Sequence, residues 1–288
     1  MTTALPPPQI VINQRPGQIQ PYVETLQSYG RANAEALERA ALERKKLQNE
    51  QRIVSIVGML VCVLGLFLGG GIHPILFLIL AVGIGMLIWA AQGPGKRLRA
   101  IEECPPPDVT GRCALAAWLL TNLQGDMPTH RRLTGQIELS GIEQGGTLGR
   151  TKPGFGNTTV SYTYQRWLDL ELRLVDGNEL RLRATERLKL RPGHYRKGSV
   201  SGKSKWKPAK RSMLQRVSLR LQMNPAVYDT ALSRPPPASR RIGGLNVRWT
   251  DQHDHELRVV AEAEMDRLPP EEILQLLREI YAGLARRG

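Results

Sequence analysis

From Ile53 to Ala91 the chain reads IVSIVGMLVCVLGLFLGGGIHPILFLILAVGIGMLIWAA, and no Lys, Arg, Asp or Glu occurs between Arg52 and Lys96. A bilayer core of roughly 30 Å takes about 20 helical residues to cross, and this run is about twice that length. It breaks at Gly69-Gly70-Gly71-Ile72-His73-Pro74, where glycine and proline both oppose helix continuation. The pattern predicts a two-helix transmembrane hairpin over 53–91, with spans 53–70 and 74–91. Gly58, Cys62, Gly65 and Gly69 fall on one face of the first span, and Ala81 and Gly85 recur on the second. Small side chains let membrane helices approach closely. The expected use of these faces is packing of the two spans on each other, with a homo-oligomer as the alternative.

Outside the hairpin the period changes twice. Residues 1–20 hold Pro6-Pro7-Pro8 and no periodicity, which reads as a disordered Pro-rich arm. Residues 21–52 are dominated by strong helix formers, and the expectation is a cytoplasmic helix continuing into the membrane. Residues 92–108, GPGKRLRAIEECPPPD with its preceding Gln, read as an amphipathic exit and a linker. RCALAAWLLTNL, from Arg112 to Leu123, has apolar residues at helical spacing. Beyond His130 the spacing becomes two: Leu168, Leu170, Leu172 and Leu174 alternate with Asp169, Glu171 and Arg173. Asp176-Gly177-Asn178 then gives a hairpin signal, and Leu180, Leu182, Leu188 and Leu190 answer it. Further alternating stretches follow at QRVSLRLQM, LNVRW and HELRVVAEAEM. The expectation is a cytoplasmic β-rich domain over 109–268, an antiparallel meander sheet or small barrel flanked by helices. Pro269-Pro270-Glu271-Glu272 opens an amphipathic helix expected over 269–288. The fold class expected is therefore membrane α joined to soluble β-rich α+β.

Charge places these parts. The chain carries 40 Lys+Arg against 26 Asp+Glu, a net +14 over 288 residues. Arg39, Arg44, Lys45, Lys46 and Arg52 precede the first span, and Lys96, Arg97 and Arg99 follow the second. The positive-inside rule puts both flanks, and with them both termini, on the cytoplasmic side of a cell membrane. The N-terminal text lacks a basic region followed by an apolar core, so no cleavable signal peptide is expected. Neither span holds an ionisable group, which disfavours a transport pathway.

Candidate chemistry is sparse. Arg187 to Arg220 contains twelve Lys and Arg and no Asp or Glu. At its centre Lys203, Lys205, Lys207, Lys210 and Arg211 surround Trp206. Basic clusters near a membrane are drawn to anionic leaflets, and an amphipathic tryptophan suits the headgroup level. Nucleic acid is the less favoured ligand, because one tryptophan without a recognition motif makes a poor stacking platform. His253 and His255 are the first metal candidates, but a third ligand at a defined spacing is lacking. No phosphate-loop, zinc-protease or nucleophile-elbow motif is matched, and no cofactor is expected. The reading is a non-enzymatic, membrane-anchored protein with a cytoplasmic interaction or scaffold domain, an unidentified protein partner and a basic loop on anionic lipid. The alternatives are a membrane-tethered enzyme with an unrecognised metal site, or a nucleic-acid-binding membrane protein.

Overall fold

Alternation of leucine with charged residues builds the centre of the fold, and helical text wraps one face of it. The structure is a computed structural model that describes residues 9–67, 74–103, 107–154, 158–197, 204–232, 239–253 and 255–286. Strand β1 (Gln9–Gln14) and a 3-10 turn (Pro16–Gln18) lead into α1 (Gln20–Phe67), α2 (Pro74–Gln92), α3 (Pro94–Glu103) and α4 (Thr110–Gly125). Next come β2 (Leu133–Glu138), α5 (Ile142–Gly145), β3 (Thr147–Pro153), β4 (Thr159–Arg173) and β5 (Glu179–Arg191). Then follow β6 (His194–Lys197), β7 (Ser204–Lys207), β8 (Lys210–Gln222), β9 (Tyr228–Leu232) and β10 (Ser239–Ile242). The chain continues through β11 (Leu245–His253), β12 (Glu256–Ala263), α6 (Pro270–Ala282) and β13 (Leu284–Arg286).

Among the described residues, nine strands form one antiparallel sheet in the order β1-β2-β4-β5-β8-β12-β11-β10, with β3 added along β4. The path ends at β1 and β10, so the sheet is open and not a barrel, and it is not a simple meander either, because β12 lies beside β8 and β9 pairs with β13 outside the sheet. Its inner face carries Leu168, Leu170 and Leu172 of β4, Leu180 and Leu182 of β5, Val217 and Leu219 of β8, and Leu257 and Val259 of β12, all buried. Leu115, Leu119 and Leu120 of α4 and Ile273, Leu276 and Ile280 of α6 join the same core. Asp176-Gly177-Asn178 closes the β4–β5 hairpin with Gly177 at φ +84°, the left-handed conformation a turn glycine accepts without strain.

The chain divides into two compact units, one made of residues up to Arg31 together with Val109 onward, the other of Ala32 to Asp108. The first unit corrects two expectations. The arm read as disordered over 1–20 is ordered from Gln9. β1 pairs with β2, Ile10 opposite Ile137 and Ile12 opposite Gly135, and Ile10, Ile12, Ile19, Val23 and Leu26 are buried. A partner strand more than a hundred residues on supplies the hydrogen bonds that the local text could not reveal. The C-terminal helix stops at Ala282 instead of running on to the end. Gly283 caps it, and Leu284 and Arg286 pair with Leu232 and Tyr228 of β9.

In the second unit, α1 is the helix among the described residues that is long and apolar enough to cross a membrane. It meets α2 through small residues. A Cβ on Gly58 would lie 3.1 Å from Leu87 Cγ and 3.2 Å from the Gly83 carbonyl oxygen. One on Gly83 would lie 2.7 Å from Cys62 Sγ. A step of four along α1, Gly58 to Cys62, is matched by a step of four back along α2, Leu87 to Gly83, so the two helices run antiparallel where they touch. The linker expected over 92–108 contains helix α3, which Gly93 joins to α2 by a backbone bond from the Gly93 N–H to the Trp89 carbonyl (2.8 Å).

Candidate functional site

The basic stretch is a continuation of the central hairpin. β5 and β8 pair to the end, Arg191 opposite Lys210. Beyond Pro192-Gly193 and Pro208-Ala209 the ladder resumes in the same register as a ribbon, His194 opposite Lys207 and Tyr195 opposite Trp206. Two prolines, which lack the N–H a ladder needs, account for the interruption. Tyr195 and Trp206 meet edge to face, ring centroids 4.9 Å apart, and both stay exposed, at 68% and 55%. Lys205, Lys207 and Lys210 are exposed around them. Trp206 leans across the backbone at Gly193, where a Cβ would meet its ring at 2.4 Å.

Of the residues singled out in the sequence, Lys205, Trp206 and Lys207 share this ribbon, and Lys210 begins the strand that leaves it. Arg211 is engaged elsewhere, in an ion pair with Glu143 of α5 at 2.5 Å. Lys203 lies outside the described residues, as does Gly69. Neither charge nor spacing marks Tyr195 in the sequence; only the register across the two prolines brings it to Trp206. On the helices, Gly58 and Cys62 face α2, while Gly65 continues α1. Ala81 is exposed and nothing lies within 4 Å of where a Cβ would sit on Gly85. The close approach falls to Gly83, since positions two residues away are turned by about 200° on an α-helix. His253 ends β11 and His255 sits in the turn before β12, where its carbonyl accepts the Met223 N–H at 2.7 Å. Among the described residues no group of three His, Cys, Asp or Glu is placed to hold a metal ion.

Two further constellations come from the fold. Arg112 of α4 enters the core and is 5% exposed. Its Nε donates to Glu186 Oε1 at 3.1 Å, one Nη to Gln165 Oε1 at 2.9 Å and the other to the Glu138 carbonyl at 3.3 Å, with further bonds to Glu186 Oε2 and the Ser140 carbonyl. Gln215 Nε2 completes the set on Glu186 Oε1 at 3.1 Å. This cluster fixes α4 to β4, β5 and β8. It is enclosed and fully engaged at the guanidinium, so its task is architectural.

The second is an apolar groove of about 460 Å³ between α4, α6 and the β4–β5 turn, lined by Trp118, Leu123, Val175, Leu277 and Tyr281 with Arg278 and Asp176 among its polar residues. Burial pushes the Tyr281 phenol well above its ordinary value, despite the bond it receives from Asn178, so it stays a neutral hydroxyl at the groove wall. Burial likewise pushes the Cys113 thiol up to about 11, which keeps it protonated and a poor nucleophile at neutral pH.

The outer face of the sheet carries paired charge. Asp169 accepts from Arg181 at 3.0 Å and Arg183 at 3.1 Å. Partial burial alone would raise its carboxyl, but the Arg181 bond and the charges of Arg183, Arg181 and Arg166 outweigh that and hold it below the usual range. A depressed folded-state pKa contributes stability that is present above the unfolded value, about 3.9, and is lost as pH falls through the folded value. Urea midpoints measured against pH should therefore be flat near neutrality and fall below about pH 4, and Asp169→Asn should remove part of that fall. An unchanged acid slope in the variant would show that this cluster contributes nothing.

No protein-family model, no curated protein and no solved structure matches this chain.

Proposed function

We propose that the protein is a non-enzymatic membrane-anchored interaction protein. The apolar part of α1 and all of α2 cross the bilayer as a hairpin, and the sheet unit lies on the cytoplasmic side. The observation that carries this reading is the band of large aliphatic side chains left uncovered on the packed helices. Ile53, Ile56, Met59, Leu60 and Leu64 are each at least half exposed, as is Ile88 on α2, whereas Gly58 and Gly83 are turned inward. A contiguous apolar surface of this kind needs a non-aqueous cover. α2 has 19 residues, which at 1.5 Å each span about 28 Å, close to a hydrocarbon core. Trp89 is 57% exposed near the end of α2, the level at which aromatic belts form. Lys and Arg on both flanks support cytoplasmic ends for both spans.

On that side the β6–β7 ribbon offers an aromatic pair among lysines, which suits an anionic leaflet. The apolar groove between α4 and α6 offers a protein partner an anchor pocket. The test uses the full chain reconstituted in vesicles with brominated lipid, reading quenching of Trp206 as the difference from Trp206→Phe. Quenching should need anionic lipid. It should weaken strongly when Lys205, Lys207 and Lys210 become Gln, since each contributes about 1 kcal/mol near the surface at low salt, and it should fade at about 0.5 M salt. Equal quenching in neutral lipid sinks the ribbon reading. Release of the protein from native membranes by alkaline carbonate sinks the anchor.

A further inference from the structure

On the outer face of the sheet the cations are paired with acids at one end and outnumber them at the other. Arg181 and Arg183 share Asp169, Arg216 donates to Glu262 at 2.6 Å, and Arg220 donates to Glu256 at 2.7 Å. Farther along the same strands, Arg150 lies opposite Tyr162, Tyr162 opposite Lys189, and Lys189 opposite Ser212; in the next row Tyr164 lies opposite Arg187. These residues and Lys152 line a groove of about 160 Å³ in which Glu264 is the one carboxylate. The Arg187 guanidinium lies 5.7 Å and the Lys189 ammonium 5.9 Å from the centroid of the Tyr162 ring. The Arg187 Nε is buried and makes no hydrogen bond. A buried donor without an acceptor is costly to leave unmade, and a guanidinium beside an ammonium repels it until an anion arrives.

We propose that this groove binds a compact, multiply charged phosphate anion, presented either by a phosphorylated lipid headgroup or by a free polyphosphate. Arginine supplies a planar fork that matches phosphate oxygens, and the lysines add point charge. Ser212 and the tyrosines add hydroxyl donors. Stacking favours this over a nucleic acid. The Tyr162 ring already carries two cations, whereas strand-binding proteins stack their bases on open aromatic faces. The site goes beyond the ribbon reading, because binding of a soluble anion here needs neither the bilayer nor Trp206.

The experiment is calorimetric titration of the full chain, held in neutral-lipid nanodiscs, with inositol hexakisphosphate and with pyrophosphate. Saturable binding is expected, weakened about 10-fold or more in Arg187→Met/Lys189→Met. The charge-conserving pair Arg187→Lys/Lys189→Arg should recover part of the affinity. Arg216→Gln removes one charge from the acid-paired end and should change binding by no more than about 2-fold. Urea midpoints of the variants check that they fold. Capture of vesicles carrying a bisphosphorylated inositol lipid, over phosphatidylserine vesicles of equal charge, identifies the headgroup as the source; binding of the soluble anions alone identifies a free one. Absence of saturable binding overturns the proposal, as does an equal loss in Arg216→Gln. Tighter binding of a single-stranded oligonucleotide that is lost in Tyr162→Ala also overturns it.

Discussion

Replacing Arg112 with Met should lower the unfolding free energy of the sheet unit by about 3–5 kcal/mol, the range for breaking one side of a buried ion pair. All five guanidinium N–H groups have acceptors, two of them on Glu186, and the group lies 5.6 Å from the Trp167 ring centroid. Glu186 is 7% exposed beside Arg112, and loss of the guanidinium leaves it the Gln215 amide as its hydrogen-bond donor among the described residues. Arg112→Lys should fail nearly as badly, because an ammonium cannot fill five directions at once. The double variant Arg112→Met/Glu186→Leu removes both charges and should recover most of the loss, since burying an ion pair gains little over well-packed apolar groups. Urea unfolding followed by tryptophan fluorescence measures all three. Equal destabilisation in the single and double variants would mean that the two residues are not coupled and that the helix is held by packing alone.

This cluster also shows where the sequence is legible. The inward positions of β5 are Leu180, Leu182, Ala184, Glu186 and Leu188, so strict alternation puts a carboxylate into the core and demands a partner. Gln165 on β4 and Gln215 on β8 interrupt their own inward series at the positions paired with Glu186. Those interruptions were readable. That Arg112 answers them was not, because the contact spans 74 residues. The β4–β5 hairpin is visible from local text because its turn chemistry and both leucine series agree. The order β8-β12-β11-β10 is not, because the chain leaves β8, crosses to the far edge and returns. Hydrophobic period identifies strands without saying which neighbours they choose.

A similar limit applies to the helix contact. Small residues at 81, 83 and 85 are equally visible, and choosing among them requires knowing which side of α2 faces α1. The ribbon is an intermediate case. Charge marked Lys205 to Lys207 as exposed, while the aromatic pair and the continuity with β5 and β8 depend on pairing across two prolines.

A chain beginning at Val109 should fail to fold, whereas residues 9–31 joined to 109–288 by a short Gly/Ser linker should fold as a soluble domain. The unit from Ala32 to Asp108 is, in chain order, an insertion between the start of α1 and α4. Starting at Val109 removes β1 and five buried aliphatic side chains, Ile10, Ile12, Ile19, Val23 and Leu26. Truncating one buried aliphatic costs about 2–5 kcal/mol, so losing five costs about 10–25 kcal/mol, comparable to or larger than the roughly 5–15 kcal/mol that holds a domain together. It also bares the edge of β2, inviting strand-to-strand aggregation. The linker can be short because a Cβ on Gly30 would lie 3.1 Å from the Cys113 Cβ, so the two cut ends are near each other. Within the joined chain, Ile12→Ala should cost about 2–4 kcal/mol. Val11→Thr, at a position 65% exposed, should stay within about 0.5 kcal/mol. Circular dichroism and urea melts of the four chains decide the matter. A cooperative melt from the chain beginning at Val109, as stable as the joined chain, would show that β1 is dispensable and that the domain is complete without its N-terminal strand.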